Sequence, residues 1–263
     1  MRHVVFDRKG GVGKTSVVCN LAAVSAAEGR KTLVVDLDPQ ANSSHYLLGR
    51  DACEALPNAA DFFEQTLGFQ LFGQSDGNGN GNSEWVHPTL YDDLWLLPAD
   101  QRLAEIQPKL ESRYKIYKLR DLLRRLSDFD TVFLDTPPAT SFFTTSALIA
   151  ADSCLIPFDC DEFSRRAIYQ LLGTVREVHE DHNERIEIGG IVVNLFQEQA
   201  RLPRRLVGEL EAEGLPVLRP FINASVKVRE SHERHRPLVY LAPSHKVTGQ
   251  FRELYRTLVE RAG

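Results

Sequence analysis

The chain has 263 residues, 43% hydrophobic and 25% charged, with a net charge of −5. That length supports one large α/β domain or two small ones, and no apolar run is long enough to cross a bilayer as a helix. The charge is uneven: residues 201–263 carry 12 Lys and Arg against 7 Asp and Glu, or +5, on a remainder of −10.

In chain order, short runs that are apolar on nearly every residue alternate with longer periodic stretches. HVVF (3–6), TLVVDL (32–37), LWLLP (94–98), TVFLDT (131–136), SCLIPF (153–158) and IGGIVVN (188–194) read as strands buried on both faces. Helices are expected at 14–28, roughly 101–126, 143–150, 164–180, 203–213 and 246–261. Such alternation implies a single-domain, mostly parallel twisted sheet with helices on both faces, spanning 1–263. GQSDGNGNGNSE (73–84) has no periodicity and reads as a mobile surface loop. Cys19, Cys53, Cys154 and Cys160 form no CxxC pair and no zinc spacing, so reduced buried thiols in a cytoplasmic protein are expected. MRHVVFDRKGG runs directly into a glycine-rich motif, with no room for a signal peptide.

That motif, DRKGGVGKTS (7–16), ends as a phosphate-binding loop does, in Gly13-Lys14-Thr15. Its opening glycine is replaced by Arg8, and an additional Lys9 precedes Gly10-Gly11. Lying between a strand and a helix, Gly10, Gly11, Val12 and Gly13 offer backbone N–H groups to phosphate oxygens, and the helix N-terminus through Lys14, Thr15 and Ser16 adds partial positive charge. Lys14 would reach the β and γ phosphates, and the Thr15 hydroxyl would hold Mg²⁺. Asp7 beside a phosphate should repel it unless Arg8 or Lys9 neutralises the charge.

KGGVGKT, followed by DLDPQAN (36–42), TVFLDTPPA (131–139) and IVVN (191–194), resembles in content and order the ParA/MinD family of deviant Walker A P-loop ATPases. The resemblance implies an Mg²⁺-dependent ATP hydrolase. It implies that Lys9 crosses a nucleotide-sandwich homodimer to the partner's phosphates, as an arginine finger does elsewhere. By the same resemblance Asp38 positions the attacking water and helps organise Mg²⁺, Asp135 is the carboxylate beside the metal, and Asn194 reads the adenine ring. Asp36 ends its strand and reads as a structural residue or as one that supports the metal site from behind, and Ala41 stands where glycine is common.

Within the family, Cys154 and Cys160 do not suit a bridging iron–sulfur cluster. The stripe Phe251, Leu254, Tyr255, Leu258 and Val259 reads as core packing rather than a membrane anchor. What remains is the small ParA branch, whose ATP dimers bind double-stranded DNA without sequence preference. Arg201, Arg204 and Arg205 in one segment, and Lys227, Arg229, Arg234 and Arg236 in another, are the candidate phosphate contacts; the alternative is a solvated face with Glu230 and Glu233 as local partners. The implied role is a nucleoid-associated ATPase that positions or segregates a cargo, stimulated by a ParB-like or other cargo-adaptor protein. The rival readings are a metabolic P-loop enzyme, such as an ATP-dependent ligase of the dethiobiotin-synthetase type, and a MinD-like membrane-associated ATPase.

Overall fold

The structure, a computed structural model, describes residues 1–68 and 84–262; most of the expected 73–84 loop lies outside the described residues. The first third runs β1 (Arg2–Val5), α1 (Lys14–Ala27), β2 (Thr32–Asp36), α2 (Asn42–Leu48), α3 (Arg50–Glu54), α4 (Ala59–Leu67), β3 (His87–Pro88) and β4 (Leu94–Leu97). The middle runs α5 (Arg102–Ser112), α6 (Lys118–Arg125), β5 (Thr131–Asp135), α7 (Phe142–Ala150), β6 (Ser153–Phe158) and α8 (Glu162–Asp181). The last part runs β7 (Glu187–Val193), α9 (Arg201–Ala212), β8 (Val217–Leu218), α10 (Val226–Glu233), α11 (Leu238–Leu241) and α12 (Lys246–Ala262).

The strands form one sheet in the order β3-β4-β2-β5-β1-β6-β7-β8. All pairings are parallel except the β3–β4 edge. Every residue of β2, β5 and β6 is buried, as a sheet covered on both faces requires. Alternate side chains separate two cores: Val4, Leu33, Val35, Val132 and Leu134 face one, and Val5, Val34, Phe133, Leu94 and Leu96 face the other. Helix α1 is buried almost all round, between the sheet and α11 and α12. Phe251, Leu254, Tyr255 and Leu258 of α12 lie in that second core, and the Tyr255 hydroxyl meets Ser25 Oγ at 2.8 Å, so the apolar stripe is core packing.

Two details depart from the sequence expectation. The 101–126 stretch is two helices, because Tyr114 adopts a left-handed φ of 53° and the Lys115 N–H turns back onto the Leu110 carbonyl, closing α5. In β7 the pairing with β6 slips by one residue between Cys154 and Leu155. Gly190 there has φ +149°, and a Cβ on it would fall 2.4 Å from Leu218 Cγ, so glycine is needed both for the bulge and for β8 to approach.

Candidate nucleotide site and its basic flank

The loops following β1, β2, β5, β6 and β7 share one edge of the sheet, the carboxyl edge where open α/β sheets bind ligands. The β1–α1 loop is held from inside. Asp7 is buried, and its Oδ1 accepts the Lys9 N–H at 2.7 Å. Burial pushes the Asp7 carboxyl up, and the Lys9 backbone bond opposes it. Arg8 turns away and donates to Thr174 Oγ1 on α8 at 2.9 Å. Arg8 therefore takes no part in neutralising Asp7; the carboxylate is a loop brace that takes a backbone amide, and the positive charges of Lys14 and, less, Lys9 act on it.

Gly11 and Gly13 have φ values of 82° and 87°. Space above Gly10 and Gly11 is open, whereas a Cβ on Gly13 would fall 2.3 Å from Asn194 Nδ2. Asn194 is buried and donates to the Val12 carbonyl at 2.8 Å. The structure thus places Asn194 against the loop, with its amide nitrogen engaged by the loop itself. Gly13 brings no capping side chain to α1, so the first N–H groups of a 14-residue helix face the site. Lys14 Nζ donates to the Lys9 carbonyl at 3.0 Å; burial lowers its pKa, against the pull of Asp135, Asp7 and Asp38.

The acidic side of the site comes from β2 and β5, where Asp36 and Asp135 sit opposite each other in adjacent strands. Asp135 Oδ2 accepts from Ser43 Oγ at 2.6 Å and from Thr15 Oγ1 at 2.8 Å. Its Oδ1 is buried and has no hydrogen-bond partner among the described residues. Asp36 accepts from the Ser44 N–H at 2.9 Å, the Ser44 hydroxyl at 2.7 Å and the Asp38 N–H at 3.1 Å, which makes it the structural residue expected. Burial pushes both carboxyls up, and the charge of Asp135 adds to the shift of Asp36. Asp38 follows β2 at 8% exposure, its Oδ1 taking the Gln40 N–H at 2.9 Å. Among the described residues no three His, Cys, Asp or Glu side chains converge as a metal cage. The pair Thr15–Asp135 nevertheless suits Mg²⁺, which takes one or two protein oxygens and completes its shell from phosphate and water. A bare buried acceptor costs about 1–3 kcal/mol, and a cation beside Asp135 Oδ1 would remove that cost.

Lys9 stands at the rim. Its ammonium donates to Asp159 Oδ2 at 2.7 Å, Asp161 Oδ2 at 2.8 Å and Ser164 Oγ at 3.1 Å. Burial lowers its pKa, but the two carboxylates outweigh this and leave it raised. These three partners are not evident in the sequence, where FDCDEFS (158–164) reads only as the end of a strand. In this structure Lys9 is held within its own chain.

The basic segments differ in how free their charges are. Arg205 pairs with Glu162 at 2.5 Å and Glu209 at 3.7 Å, and Lys227 pairs with Glu230 at 2.6 Å. Arg201, Arg204, Arg229, Arg234 and Arg236 are exposed and have no ion pair among the described residues. His245 and Lys246, which sequence reasoning missed, join the two segments at the start of α12. The Glu198 carboxyl is held below its usual range by Asn223 and by Lys246, with Arg204 adding to it. Glu230 is held down by Lys227, with smaller pulls from Arg234 and His245. Arg204, Lys246, His245, Arg234 and Lys227 thus share one flank, while Arg236 lies close enough to Tyr91 to act on its phenol.

A family profile described as an AAA domain matches residues 2–188. The chain is 29% identical over 260 residues to the chromosome partitioning protein ParA of Myxococcus xanthus, covering 98% of this chain and 87% of that protein. It is 29% identical over 265 residues to the chromosome-partitioning ATPase Soj of Treponema pallidum, covering 99% and 97%. Among solved structures, the cobyrinic acid a,c-diamide synthase of Mycobacterium smegmatis with bound ADP and magnesium superposes with a TM-score of 0.81 at 25% identity, covering 99% of this chain and 94% of that one. With this profile match, these relatives and the mostly parallel sheet, the chain belongs to the AAA domain family and, within it, to the ParA/MinD type of P-loop ATPase.

Proposed function

We propose that this chain is a ParA-like positioning ATPase that binds ATP with Mg²⁺, pairs with a second copy across its nucleotide, and in that form binds duplex DNA without sequence preference. The carrying observation is Lys9, a lysine additional to Lys14, placed at the rim of a loop whose own phosphate lysine is already present. When bound, ATP with Mg²⁺ supplies the phosphoanhydride and the cation that balances its charge. The chain's own groups divide the work. The α1 amides and Lys14 hold phosphate oxygens, and Thr15 with Asp135 holds the cation. Asp38 orients a water for in-line attack. Lys9, once freed from Asp159 and Asp161, adds positive charge at the partner's site. A cargo-bound adaptor would stimulate hydrolysis, and release from DNA would follow. The partition names of the relatives and the basic flank support this reading.

The diamide synthase name of the structural neighbour favours a second reading, an ATP-dependent ligase. Size-exclusion chromatography and ATPase rates separate the two. Lys14→Ala should lose nucleotide binding. Lys9→Ala should bind nucleotide as a monomer yet fail to dimerise or hydrolyse, and Asp38→Ala should accumulate the ATP dimer. The rate per subunit should rise with protein concentration and with added DNA. A ligase would show a rate per subunit independent of both, and a Lys9→Ala protein of normal rate and assembly would remove the role in trans.

A further inference from the structure

Helix α10 carries part of the basic flank, yet it is thinly attached to the body. Of its eight residues only Ser231 is fully buried, and Val226 is 68% exposed. Besides Val228, which packs partly buried against the second core, a polar seam against α1 and α2 docks it. His232 Nε2 lies 3.0 Å from Ser16 Oγ, its ring packs edge-on against Tyr46 at 4.7 Å, and Ser231 Oγ lies 2.9 Å from the Tyr46 hydroxyl. Ser16 is tied to the next helix as well. Its carbonyl accepts from Asn20 Nδ2 at 2.9 Å, and Asn20 Oδ1 accepts the Leu238 N–H of α11 at 2.9 Å.

Ser16 follows Thr15 in the first turn of α1, at the mouth of the phosphate loop. We propose that His232 is a positioning residue that transmits occupancy of the phosphate loop to α10, through the Ser16 hydroxyl, and so sets the placement of the basic flank. The proposal rests on the nucleotide-site reading above. The chemistry is a competition for one hydrogen. A serine hydroxyl has a single donor, and in the structure it meets one ring nitrogen. Burial lowers the His232 pKa, so its ring is neutral near pH 7 and carries one N–H. If Ser16 donates to His232, a phosphate oxygen at the loop draws that hydrogen away and leaves a half-buried ring nitrogen unmatched. If His232 donates instead, the Ser16 hydrogen is free for the phosphate and the chain of bonds tightens. Either way the two occupancies differ in hydrogen bonding within a low-dielectric seam, where an unmatched group is costly. Val228 is only partly buried and no apolar residue of α10 is fully buried, so the seam carries much of its docking.

The test is hydrogen–deuterium exchange on the full chain, free, with Mg-ADP and with a non-hydrolysable Mg-ATP analogue. Peptides over residues 10–20 report loop occupancy, and peptides over 226–233 report α10. In the wild type both should change, α10 protection by about tenfold, within the usual range of coupling. His232→Phe keeps a ring against Tyr46 but loses the bond to Ser16; the loop peptide should still respond while the α10 response falls to within about twofold of none. His232→Gln, which can still bond Ser16, should restore it. An α10 response that persists in His232→Phe, or a wild-type α10 that ignores nucleotide while the loop responds, would overturn the proposal. An unresponsive loop in the wild type would overturn the nucleotide reading beneath it. A second arm measures DNA affinity with each nucleotide. The wild-type preference for the ATP analogue should shrink toward unity in His232→Phe and return in His232→Gln, and a preference intact in His232→Phe counts against the coupling.

Discussion

His3 shows how a single buried group can set an acid limit. It lies in β1, 5% exposed, stacked on Phe133 with ring centroids 5.2 Å apart, and its Nδ1 has no hydrogen-bond partner among the described residues. Burial first, and then the nearby N-terminal ammonium, push its pKa down from 6.5 to about 4. The unfolded chain therefore binds more protons than the folded one between those values, so His3 costs nothing above pH 6.5 and lowers stability as pH falls toward 4. Between pH 7 and pH 5 the loss should be about 2 kcal/mol. His3→Leu fills the same space without titrating. Urea unfolding at the two pH values should show the wild type losing about 2 kcal/mol more than the variant; equal losses would mean that His3 is protonated without penalty. At this scale the sequence is a partial guide. The roles proposed for Lys14, Thr15 and Asp135 are read directly from motifs. Asp159 and Asp161, which hold Lys9, are 150 and 152 residues away from it and belong to no motif. The use of Asp7 as a loop brace is equally hidden, because an aspartate beside a phosphate loop reads as repulsion until its backbone partner is seen.

Strands were the readable elements because the sheet is covered on both faces, so β2, β5 and β6 are apolar on nearly every residue. The edge strands β3 and β8 have two residues each, too short to form an apolar run. The segment between residues 42 and 67 holds three short helices that periodicity does not expose. Helix α2 starts at Ala41 with a left-handed φ of 53°, which accounts for the family's usual glycine there, and Asp36 from the neighbouring strand end receives its first-turn donors. Helix α4 did carry a signal. Asn58 and Asp61 form a capping box, with the Ala60 N–H donating to Asn58 Oδ1 at 2.8 Å and the Asn58 N–H to Asp61 Oδ2 at 2.9 Å. Asn58 Nδ2 also reaches Asp100 Oδ2 at 2.8 Å. Asn58→Ala removes the cap and one cross-link, so it should cost about 1–2 kcal/mol in urea unfolding. Nucleotide affinity should be unchanged, since α4 contributes no group to the site. A loss below about 0.5 kcal/mol would mean that water replaces the cap at no cost.

For the whole molecule the question is whether the scattered positive charges act together. Exposed ion pairs are worth about 0–1 kcal/mol, so Arg205 and Lys227 can be drawn from their glutamates by a polyanion, though at some loss. Arg204 and Arg229, with no ion pair among the described residues, need no such exchange. On a monomer the flank offers few phosphate contacts, and a symmetric pair offers twice as many on one assembly. Counterion release makes the affinity fall with salt in proportion to the phosphates neutralised; about six to ten contacts give a loss of roughly a thousandfold or more between about 50 and 200 mM salt. Binding should therefore require ATP, ignore sequence and weaken steeply with salt. Arg204→Glu and Arg229→Glu should each weaken DNA binding by about tenfold or more and flatten the salt slope, while ATP-dependent dimerisation is retained because the phosphate loop is elsewhere. Arg205→Glu should weaken it less, since its charge is already partly spent on Glu162 and Glu209. Fluorescence anisotropy on unrelated duplexes, with ATP and with ADP at several salt concentrations, reads all of these quantities together. Equal binding with the two nucleotides would detach DNA from the ATP state. Undiminished binding by Arg204→Glu and Arg229→Glu would return the flank to an ordinary solvated surface, because a charge reversal in each of the two basic segments cannot leave the electrostatic attraction of a phosphate-binding face intact.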